Sequence, residues 1–455
     1  MKQRILYLTL ITSIFFSCEK ENYFKESKPA TNFTNEIPLS WNQLYLEIER
    51  FTPGYRPPVS ARTSAYIGLT AYEALVYGTD GAYRSFSGYF PGLELEKPDS
   101  DLEYNWETTL HAAYEKAFEL YFPNAPAEQQ FEILSQVNRF KIPLRNTVNP
   151  AVYQRSYDFG QQIAETIFTW SSEDSWGHEG FYNNTDPNYE PPAHSGYWQP
   201  TFPDFAPALL PHWGKVRTFA AKEEDVSPDP LPYTSDPQSA IYQQAIETQT
   251  LVDQIRAGEK EEDYWIAEFW SDDCPILTFT PAGRWISITN QLVEREQLNL
   301  VQSVVLYAKI GMALNDAGVK CWGEKYRFNC LRPIDYIRAH TGAPDWNTVM
   351  CPDGSGSFYT PNFPAFPSGH ATFGAAAAEV LTDVFGSAYT FVDRSHEGRT
   401  EFRGAPRTFN SFREMALENG YSRIPIGVHF RMDSDAGIEL GTIIGNRVND
   451  LPWSN

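Results

Sequence analysis

Apolar residues recur three or four positions apart along most of this chain, a spacing that places them on one face of an α-helix. The pattern begins near Leu39 in WNQLYLEIERF and returns in VSARTSAYIGLTAYEALVYG, NWETTLHAAYEKAFELYF, EQQFEILSQVNRFK and VYQRSYDFGQQIAETIFTW. Pro, Gly and Asn separate these segments, as residues that end helices do. No polar–apolar alternation of useful length predicts a strand. We therefore predict an all-α protein.

Helical periodicity continues through the second half of the chain, at SAIYQQAIETQTLVDQIRAG, WISITNQLVEREQLNLVQSVVLYAKIGMALNDAG, TFGAAAAEVLTDVFG and FNSFREMALENG. The last helix, from about Asp433, carries Gly437, Gly441 and Gly445. Glycine at every fourth position allows a second helix to cross closely. We interpret these three glycines as packing positions.

Residues 171–237 interrupt the helices with a segment rich in Pro, Tyr, Trp and Asp. We predict a long aromatic loop lying over the helices, and loops of this length often carry function. We predict a helical N-terminal domain over residues 37–240, which includes this loop, and a helical C-terminal domain over residues 241–455.

The N-terminus has a basic start followed by an apolar run, Ile5–Phe16, which is too short to span a bilayer and is typical of a signal peptide. We predict a signal peptide over residues 1–17, acylation of Cys18 as in a bacterial lipoprotein, and a polar tether over residues 18–36. Phe15 departs from the usual lipoprotein pattern, so ordinary secretion is the alternative. We expect an exported periplasmic or cell-surface lipoprotein, in contact with the membrane only through its lipid.

The chain has 455 residues, is 42% hydrophobic and carries a formal charge of −22. Such acidity argues against nucleic-acid binding, which needs a basic surface. Any anion site must therefore be built from locally clustered cations. The cysteines beyond Cys18 form no CxxC or Cys/His metal pattern; in an oxidising compartment they could be free or form disulfides. These cysteines are Cys274, Cys321, Cys330 and Cys351.

Two segments of the second half combine groups that suit an oxyanion. In KYRFNCLRP, Lys325 and Arg332 lie seven residues apart, which is two turns if one helix carries both, so we expect them on one helix face. In FPAFPSGHATFG, Ser368 and Gly369 open a helix, whose first N–H groups bind anions. His370 follows at the mouth of this helix and can act as an acid or a base.

A third segment, SRIPIGVHFRMD, adds Arg423, His429 and Asp433. Asp433 can fix the tautomer of His429 and leave one ring nitrogen free to bond to the central atom of the anion. Taken singly, each group has a structural explanation: a solvated helix face, a satisfied His–Asp pair or an ordinary helix cap. Their joint occurrence favours a donor cage for a tetrahedral anion.

The three motifs K-x6-R-P, P-S-G-H and S-R-x5-H-x3-D resemble those of the superfamily that joins vanadium-dependent haloperoxidases to bacterial acid phosphatases and phosphatidic acid phosphatases. All three match without a gap and span the last third of the chain. The resemblance implies two four-helix bundles packed side by side, with the anion site in the C-terminal bundle.

Three further features resemble the haloperoxidases more than the phosphatases. A whole helical half precedes the motifs. Trp322 and Phe363 match aromatic positions on the halide side of the chloroperoxidase-type pocket, although core packing is the alternative for both. The segment FWSDDCPILTFTPAGRW is similar to one that supplies an acidic partner for the cage arginine. We expect this partner to be Asp273, with Asp272 as the second candidate.

The resemblance implies a vanadate cofactor bonded to His429, with hydrogen peroxide and halide as substrates. It implies that His370 accepts and returns a proton and that Lys325 hydrogen-bonds the bound peroxide. The hypohalous acid formed would halogenate small organic acceptors. The lipoprotein-like start is similar to that of marine bacterial iodoperoxidases, so we predict that iodide is oxidised best, bromide weakly or not at all, and chloride not at all.

Two other functions use the same residues. An exported acid phosphatase would employ His429 as the nucleophile and His370 as the acid that protonates the leaving group. A lipoprotein that only binds phosphate or vanadate would give His370 no evident purpose. The sequence does not indicate the oligomeric state.

Overall fold

The structure is a computed structural model that describes residues 26–274, 277–352 and 358–454. The predicted signal peptide, the acylation site at Cys18 and residues 18–25 of the predicted tether lie outside these ranges. In the described residues, no helix is both long enough and apolar enough to cross a membrane.

The described residues are mostly helical, which confirms the all-α prediction. The α-helices are α1 (Glu36–Phe51), α2 (Pro57–Leu75), α3 (Trp106–Tyr121), α4 (Ala127–Thr147), α5 (Pro150–Ser172), α6 (Ala240–Arg256), α7 (Glu261–Phe269), α8 (Pro281–Arg295), α9 (Leu300–Phe328), α10 (Pro333–His340), α11 (Gly369–Phe385), α12 (Phe412–Tyr421) and α13 (Arg431–Asn449). Short 3₁₀ turns lie at Ala30–Asn32, Val76–Gly78 and Trp213–Lys215.

A two-stranded antiparallel hairpin is the exception to the helical architecture of the described residues. It consists of β1 (Phe391–Asp393) and β2 (Arg407–Phe409), with Val392 opposite Thr408. Each strand has three residues, which is too short for an alternating pattern to be recognised in the sequence.

The helices pack in two groups around the long helix α9. In the N-terminal half α2 packs on α3 and α5, and in the C-terminal half α11 packs on α12 and α13. Both α2 and α11 also pack on α9, and one continuous hydrophobic core runs through both groups. Glycine makes the α2–α9 contact possible, since a Cβ on Gly311 would lie 2.8 Å from the Ala65 Cα atom. The domain boundary at residue 240 stays a prediction.

The predicted packing glycines of α13 lie against α11. A Cβ on Gly441 would come within 2.3 Å of the Thr372 carbonyl oxygen, and one on Gly445 within 2.6 Å of the Ala376 carbonyl oxygen. The absence of side chains thus lets the two helix backbones approach closely. This crossing holds the N-terminus of α11 in place.

Part of the segment predicted as a tether lies against the helices. The Ser27 hydroxyl accepts a hydrogen bond from the Tyr104 amide at 2.8 Å, and the Phe33 carbonyl accepts one from the Leu300 amide at 3.0 Å. These bonds fasten residues 27–33 to α9 and to the start of α3.

The long loop predicted over residues 171–237 lies between the end of α5 and the start of α6. It contains the 3₁₀ turn Trp213–Lys215, and its Trp198 and Trp213 side chains are buried. The Leu209 carbonyl accepts hydrogen bonds from Trp322 Nε1 at 3.3 Å and from the Tyr326 hydroxyl at 2.6 Å. The loop therefore packs on the end of α9.

Candidate active site

Lys325 lies in the last turn of α9 with its side chain fully buried. Its Nζ atom donates to the carbonyl oxygens of Pro364, Ala365 and Pro367, at 3.0, 2.8 and 2.5 Å. These carbonyls belong to the chain that enters α11, so the lysine ties two of the motifs together. Burial lowers the pKa of Lys325 to about 8, which leaves the amine mostly protonated at neutral pH.

Arg332 does not lie on the same helix as Lys325, so the expectation of one shared helix face was wrong. The helix ends at Phe328 because Asn329 adopts the left-handed conformation, with φ of 50°, and Arg332 caps the next helix, α10. The guanidinium is buried and donates to the carbonyls of Phe363 and Val428, each at 2.9 Å. The break redirects the chain, yet Arg332 still points toward the other motifs.

Ser368 caps α11, as the sequence predicted. Its hydroxyl accepts from the Ala371 amide at 3.5 Å, and its own amide donates to the Asp433 carbonyl at 2.8 Å. Gly369 is the first residue of the helix, and a Cβ on Gly437 of α13 would lie 2.7 Å from the Ser368 carbonyl oxygen. The close crossing with α13 therefore forms one wall of the site.

His429 lies just before α13 and is oriented by Asp433 in the first turn of that helix. Its Nδ1 atom is 2.9 Å from Asp433 Oδ2, which also accepts from the Phe430 amide at 3.0 Å. The Nε2 atom faces Arg332 Nη1 at 3.3 Å. Burial and the cations of Arg332 and Lys325 hold the pKa of His429 well below its usual range. A neutral ring that donates to the carboxylate through Nδ1 carries its lone pair on Nε2, where it now accepts from Arg332.

Arg423 and His370 share one carboxylate, that of Asp273. Arg423 Nη2 donates to Asp273 Oδ2 at 2.8 Å, and His370 Nδ1 lies 3.8 Å from the same oxygen. Burial alone would raise the pKa of Asp273, but His370 and Arg423 lower it, so the carboxyl is ionised. Asp272 faces Arg284 instead, at 3.4 Å. Of the two candidates, Asp273 is the residue that contacts the arginine.

The aromatic pair Trp322 and Phe363 packs on the cations, with ring centroids 5.0 Å apart. Lys325 Nζ lies 5.1 Å and the Arg332 guanidinium 4.8 Å from the Phe363 centroid. Phe363 also lines a cavity of about 300 Å³, whereas Trp322 is buried behind it. Other residues that line this cavity are Arg56, Leu209, Asp273 and Tyr359.

Several buried polar atoms at this point have no hydrogen-bond partner. They are Arg332 Nη2, Arg423 Nε and His370 Nε2. Unpaired buried polar atoms are costly in folded proteins, and the unpaired donors of two clustered arginines indicate a site for an anionic ligand. The structure thus brings residues of all three motifs, Lys325 among them, around one position that suits an anion.

Sequence reasoning missed two supports of Arg423. Met350 Sδ lies 3.5 Å from Arg423 Nη2, and a disulfide joins Cys274 to Cys351. The bond therefore connects the residue after Asp273 to the residue after Met350. An even cysteine count was compatible with this pairing, but nothing in the spacing singled it out.

Comparisons with known proteins agree with this geometry. A family model described as the VCPO second helical-bundle domain matches residues 305–452, which contain all three motifs. The vanadium chloroperoxidase of Curvularia inaequalis is 26% identical over an alignment of 501 positions, covering 91% of this chain and 82% of that protein. A solved structure described as the first bacterial vanadium-dependent iodoperoxidase is 29% identical, with a TM-score of 0.80, and covers 95% of this chain and 100% of its own.

Together these findings support a vanadium haloperoxidase. A bacterial vanadium-dependent chloroperoxidase, solved in its holo form, shares the fold at 15% identity with a TM-score of 0.63, over 88% of this chain and 93% of that one. Similarity thus extends through both helical groups and beyond the motifs.

The family implies a vanadate cofactor, and the residues present fit this group. Vanadate is a tetrahedral oxyanion, and the unpaired nitrogens of Arg332 and Arg423 could serve as charged donors for its oxygens. His429 Nε2 could serve as a nitrogen ligand, since Asp433 occupies the other ring nitrogen.

Proposed function

We propose that this protein oxidises iodide with hydrogen peroxide, using bound vanadate, so that iodide, peroxide and one proton give hypoiodous acid and water. Similarity to the vanadium haloperoxidases supports halide oxidation by peroxide in general. The observation that carries the proposal is the buried set of unpaired nitrogens on Arg332, Arg423 and His370.

The binding roles follow from where the donors and charges lie. Arg332, Arg423, the Ser368 hydroxyl and the Gly369 amide would hold the oxyanion, and His429 Nε2 would bond to vanadium. Lys325, whose three N–H groups donate to carbonyls, would hold the oxyanion through its charge. Bound vanadate would supply a Lewis-acidic centre at which hydrogen peroxide becomes an oxidant for halide.

Lys325 supplies positive charge with little freedom to move. Three backbone carbonyls fix its Nζ atom, and the rings of Phe363 and Trp322 shield it from water. A fixed cation in a dry site stabilises negative charge without first having to reorient. Lys325 would therefore draw electron density from the oxygen that halide attacks.

His370 is placed to move the proton. Burial and Arg423 lower its pKa to about 4, so the ring is neutral and can accept a proton at neutral pH. Asp273 faces the ring on the Nδ1 side, and the ring also bonds to the Trp270 backbone. The Nε2 atom has no hydrogen-bond partner. We assign to Nε2 the acceptance of a proton from peroxide and its later return.

Iodide as the preferred halide is supported by two observations. The bacterial iodoperoxidase structure is similar over nearly the whole chain. Phe363 presents an apolar ring between the cations and the cavity, and such a surface suits a large, weakly hydrated anion. Trp322 and Phe363 are also the aromatic pair of the chloroperoxidase pattern, so the halide ranking must be measured.

The test uses the purified apo-protein with hydrogen peroxide and iodide, before and after orthovanadate is added, with phosphate as a competitor. We expect activity that requires vanadate and is suppressed by phosphate. Iodide, bromide and chloride are then compared on the same holoenzyme. Bromide oxidation as fast as iodide oxidation would contradict the iodide preference.

The same preparation distinguishes a phosphatase. Hydrolysis of a phosphomonoester that vanadate blocks, without iodide oxidation, would assign the cage to phosphoryl transfer through His429. Anion binding without any turnover, unchanged in His370→Ala, would indicate a binding protein.

We also propose that the protein is exported as a lipoprotein acylated at Cys18, on the sequence of residues 1–18 alone. Mass spectrometry of the N-terminal peptide from the native membrane fraction tests this. A mature N-terminus at a residue other than Cys18, or at Cys18 without lipid, would contradict it.

A further inference from the structure

A second buried charge cluster lies behind the proposed vanadate site. It contains Arg284 of α8, Asp272, Asp393 and His396, whose side chains are all at most 1% exposed. None of these residues belongs to the three motifs. Burying four ionisable groups is costly unless they hold one another in a fixed geometry.

Arg284 contacts the segment Phe269–Asp272 through a hydrogen bond, an ion pair and ring stacking. Its Nη2 atom donates to the Phe269 carbonyl at 2.9 Å, and Nη1 lies 3.4 Å from Asp272 Oδ1. The guanidinium also stacks over the rings of Phe269 and Trp270, at 4.4 and 4.5 Å from their centroids. One planar side chain thereby fixes the backbone, the carboxylate and two aromatic rings of this segment.

The residues that Arg284 contacts include or adjoin those that contact Arg423 and His370. The Trp270 carbonyl accepts from Arg423 Nη1 at 3.4 Å, and the Trp270 backbone also bonds to His370. Asp273 binds Arg423 at 2.8 Å and faces His370 at 3.8 Å. Both Arg423 and His370 therefore take their positions from residues 270 and 273.

The rest of the cluster holds Arg284 itself. Asp393, at the end of β1, lies with Oδ2 3.2 Å from Arg284 Nε, and His396 Nε2 lies 3.3 Å from Asp272 Oδ1. Burial and the arginine lower the pKa of His396, so its ring stays neutral. The hairpin thus contributes to the cluster, because it places Asp393 beside Arg284 Nε.

We propose that Arg284 is a positioning residue, which sets the geometry of Arg423 and His370 through the segment 269–273 although it touches neither. This inference rests on the proposed oxyanion chemistry of the site. It predicts that the shape of the guanidinium matters as well as its charge, because a lysine cannot contact the carbonyl, both carboxylates and two rings at once.

The experiment compares Arg284→Lys with a matched control, Arg62→Lys. Arg62 is also buried, lies 3.4 Å from Asp174, donates to the Ser171 carbonyl at 2.8 Å and stacks on Tyr66 at 4.5 Å. It differs in lying in the N-terminal half. For each apo-protein, the melting temperature and the orthovanadate Kd are measured, and for each holoenzyme the kcat and the KM for iodide.

We expect Arg284→Lys to weaken orthovanadate binding about tenfold and to lower kcat, with a smaller change in the KM for iodide, because Arg284 contacts Asp272 at the cavity wall but not Phe363. Arg62→Lys should lower the melting temperature to a similar degree and leave Kd and kcat unchanged. The proposal is overturned if Arg284→Lys loses stability alone, or if both variants change Kd equally.

A milder variant keeps the proposal testable if Arg284→Lys does not fold. Asp393→Asn preserves shape and removes one charge that faces Arg284, and we expect a two- to threefold weakening of orthovanadate binding. An unchanged Kd in this variant would also overturn the proposal. Failure of the wild-type protein to bind orthovanadate would instead refute the proposed function and, with it, this inference.

Discussion

Two buried arginines, one in each half of the molecule, are held in different ways. Arg62 in the N-terminal half lies beside a carboxylate, that of Asp174, and none of its buried nitrogens lacks a hydrogen-bond partner. Arg332 in the C-terminal half has no carboxylate partner: it donates to two backbone carbonyls and contacts His429 Nε2, and its Nη2 atom has no partner. The N-terminal arginine thus has its partners within the protein, whereas Arg332 keeps one donor unpaired.

This difference separates structural from functional burial of charge. A buried ion pair with its hydrogen bonds satisfied maintains the fold, and removing one partner leaves a charge without compensation. A buried cation with unpaired donors destabilises the free protein, and part of that cost is recovered on ligand binding. Unpaired donors that lie within a cluster of cations, as on Arg332 and Arg423, therefore indicate the site better than burial or charge alone.

The largest expected effect comes from Arg332→Gln. We expect orthovanadate affinity to fall about 100-fold, or about 3 kcal/mol, because charge-assisted hydrogen bonds to the oxyanion are lost. The stability of the apo-protein should change by less than about 1 kcal/mol, since an unpaired buried charge disappears together with two hydrogen bonds to carbonyls. Calorimetry with orthovanadate and urea unfolding of the apo-protein measure the two quantities.

The matching change in the other half should show the reverse. We expect Arg62→Gln to lower the free energy of unfolding by about 3 kcal/mol, because Asp174 is left buried without its cation. Its orthovanadate affinity should equal that of the wild type. If both variants lost affinity, or both lost stability to the same extent, the distinction between the two arginines would be refuted.

Two buried carboxyl groups, one in each half, extend the comparison to the pH dependence of stability. Glu73 in α2 is fully buried and accepts from the Ser85 hydroxyl and the Phe86 amide, and burial raises its pKa from 4.5 to about 7. Asp273 is shifted the other way because cations face it. A raised pKa means that the folded state binds the proton more tightly, so stability falls as pH rises from about 4.5 to about 7.

Glu73→Gln should remove this dependence. We expect the wild type to lose about 3 kcal/mol more than the variant between about pH 4.5 and 7.5, since each tenfold difference in proton affinity between the folded and unfolded states is worth about 1.4 kcal/mol. Urea unfolding at several pH values measures the difference. Parallel stability–pH curves for the two proteins would show that Glu73 titrates normally.

Local sequence relations predicted those parts of the site that depend on one short segment. Ser368 caps a helix because of its own side chain, and Asp433 reaches His429 because the two lie four residues apart at a helix start. The path between Lys325 and Arg332 could not be inferred from their spacing, because Asn329 adopts a left-handed conformation that ends the helix.

The motifs could not predict contacts between residues that lie far apart in the sequence. Arg284 meets Asp393 and His396 across more than 100 residues, and only packing of the hairpin against α8 brings them together. The Cys274–Cys351 bond likewise joins two residues that only the folding of the chain brings together. Arg284 could have been noticed as a charged residue within the segment that resembles the haloperoxidases, although nothing there indicated its partners.

The smallest expected effects distinguish two glycines of α13, one that serves packing alone and one that also supports the site. In α13, Gly441 and Gly437 both contact α11, and a Cβ would lie 2.3 Å from the Thr372 carbonyl oxygen or 2.7 Å from that of Ser368. We expect alanine at either position to lower the free energy of unfolding by about 2 kcal/mol, because the backbones must separate. Urea unfolding of each apo-protein measures this loss.

Only one of the two substitutions should affect the oxyanion. Gly437→Ala displaces Ser368, whose hydroxyl and following amide we assign to the cage, so we expect orthovanadate to bind about threefold more weakly. Gly441→Ala acts one turn further along α11 and should leave the Kd unchanged. Because the two variants differ by one helical turn and make the same chemical change, equal Kd values would mean that the wall formed by α13 tolerates displacement, and that the arginines alone determine affinity.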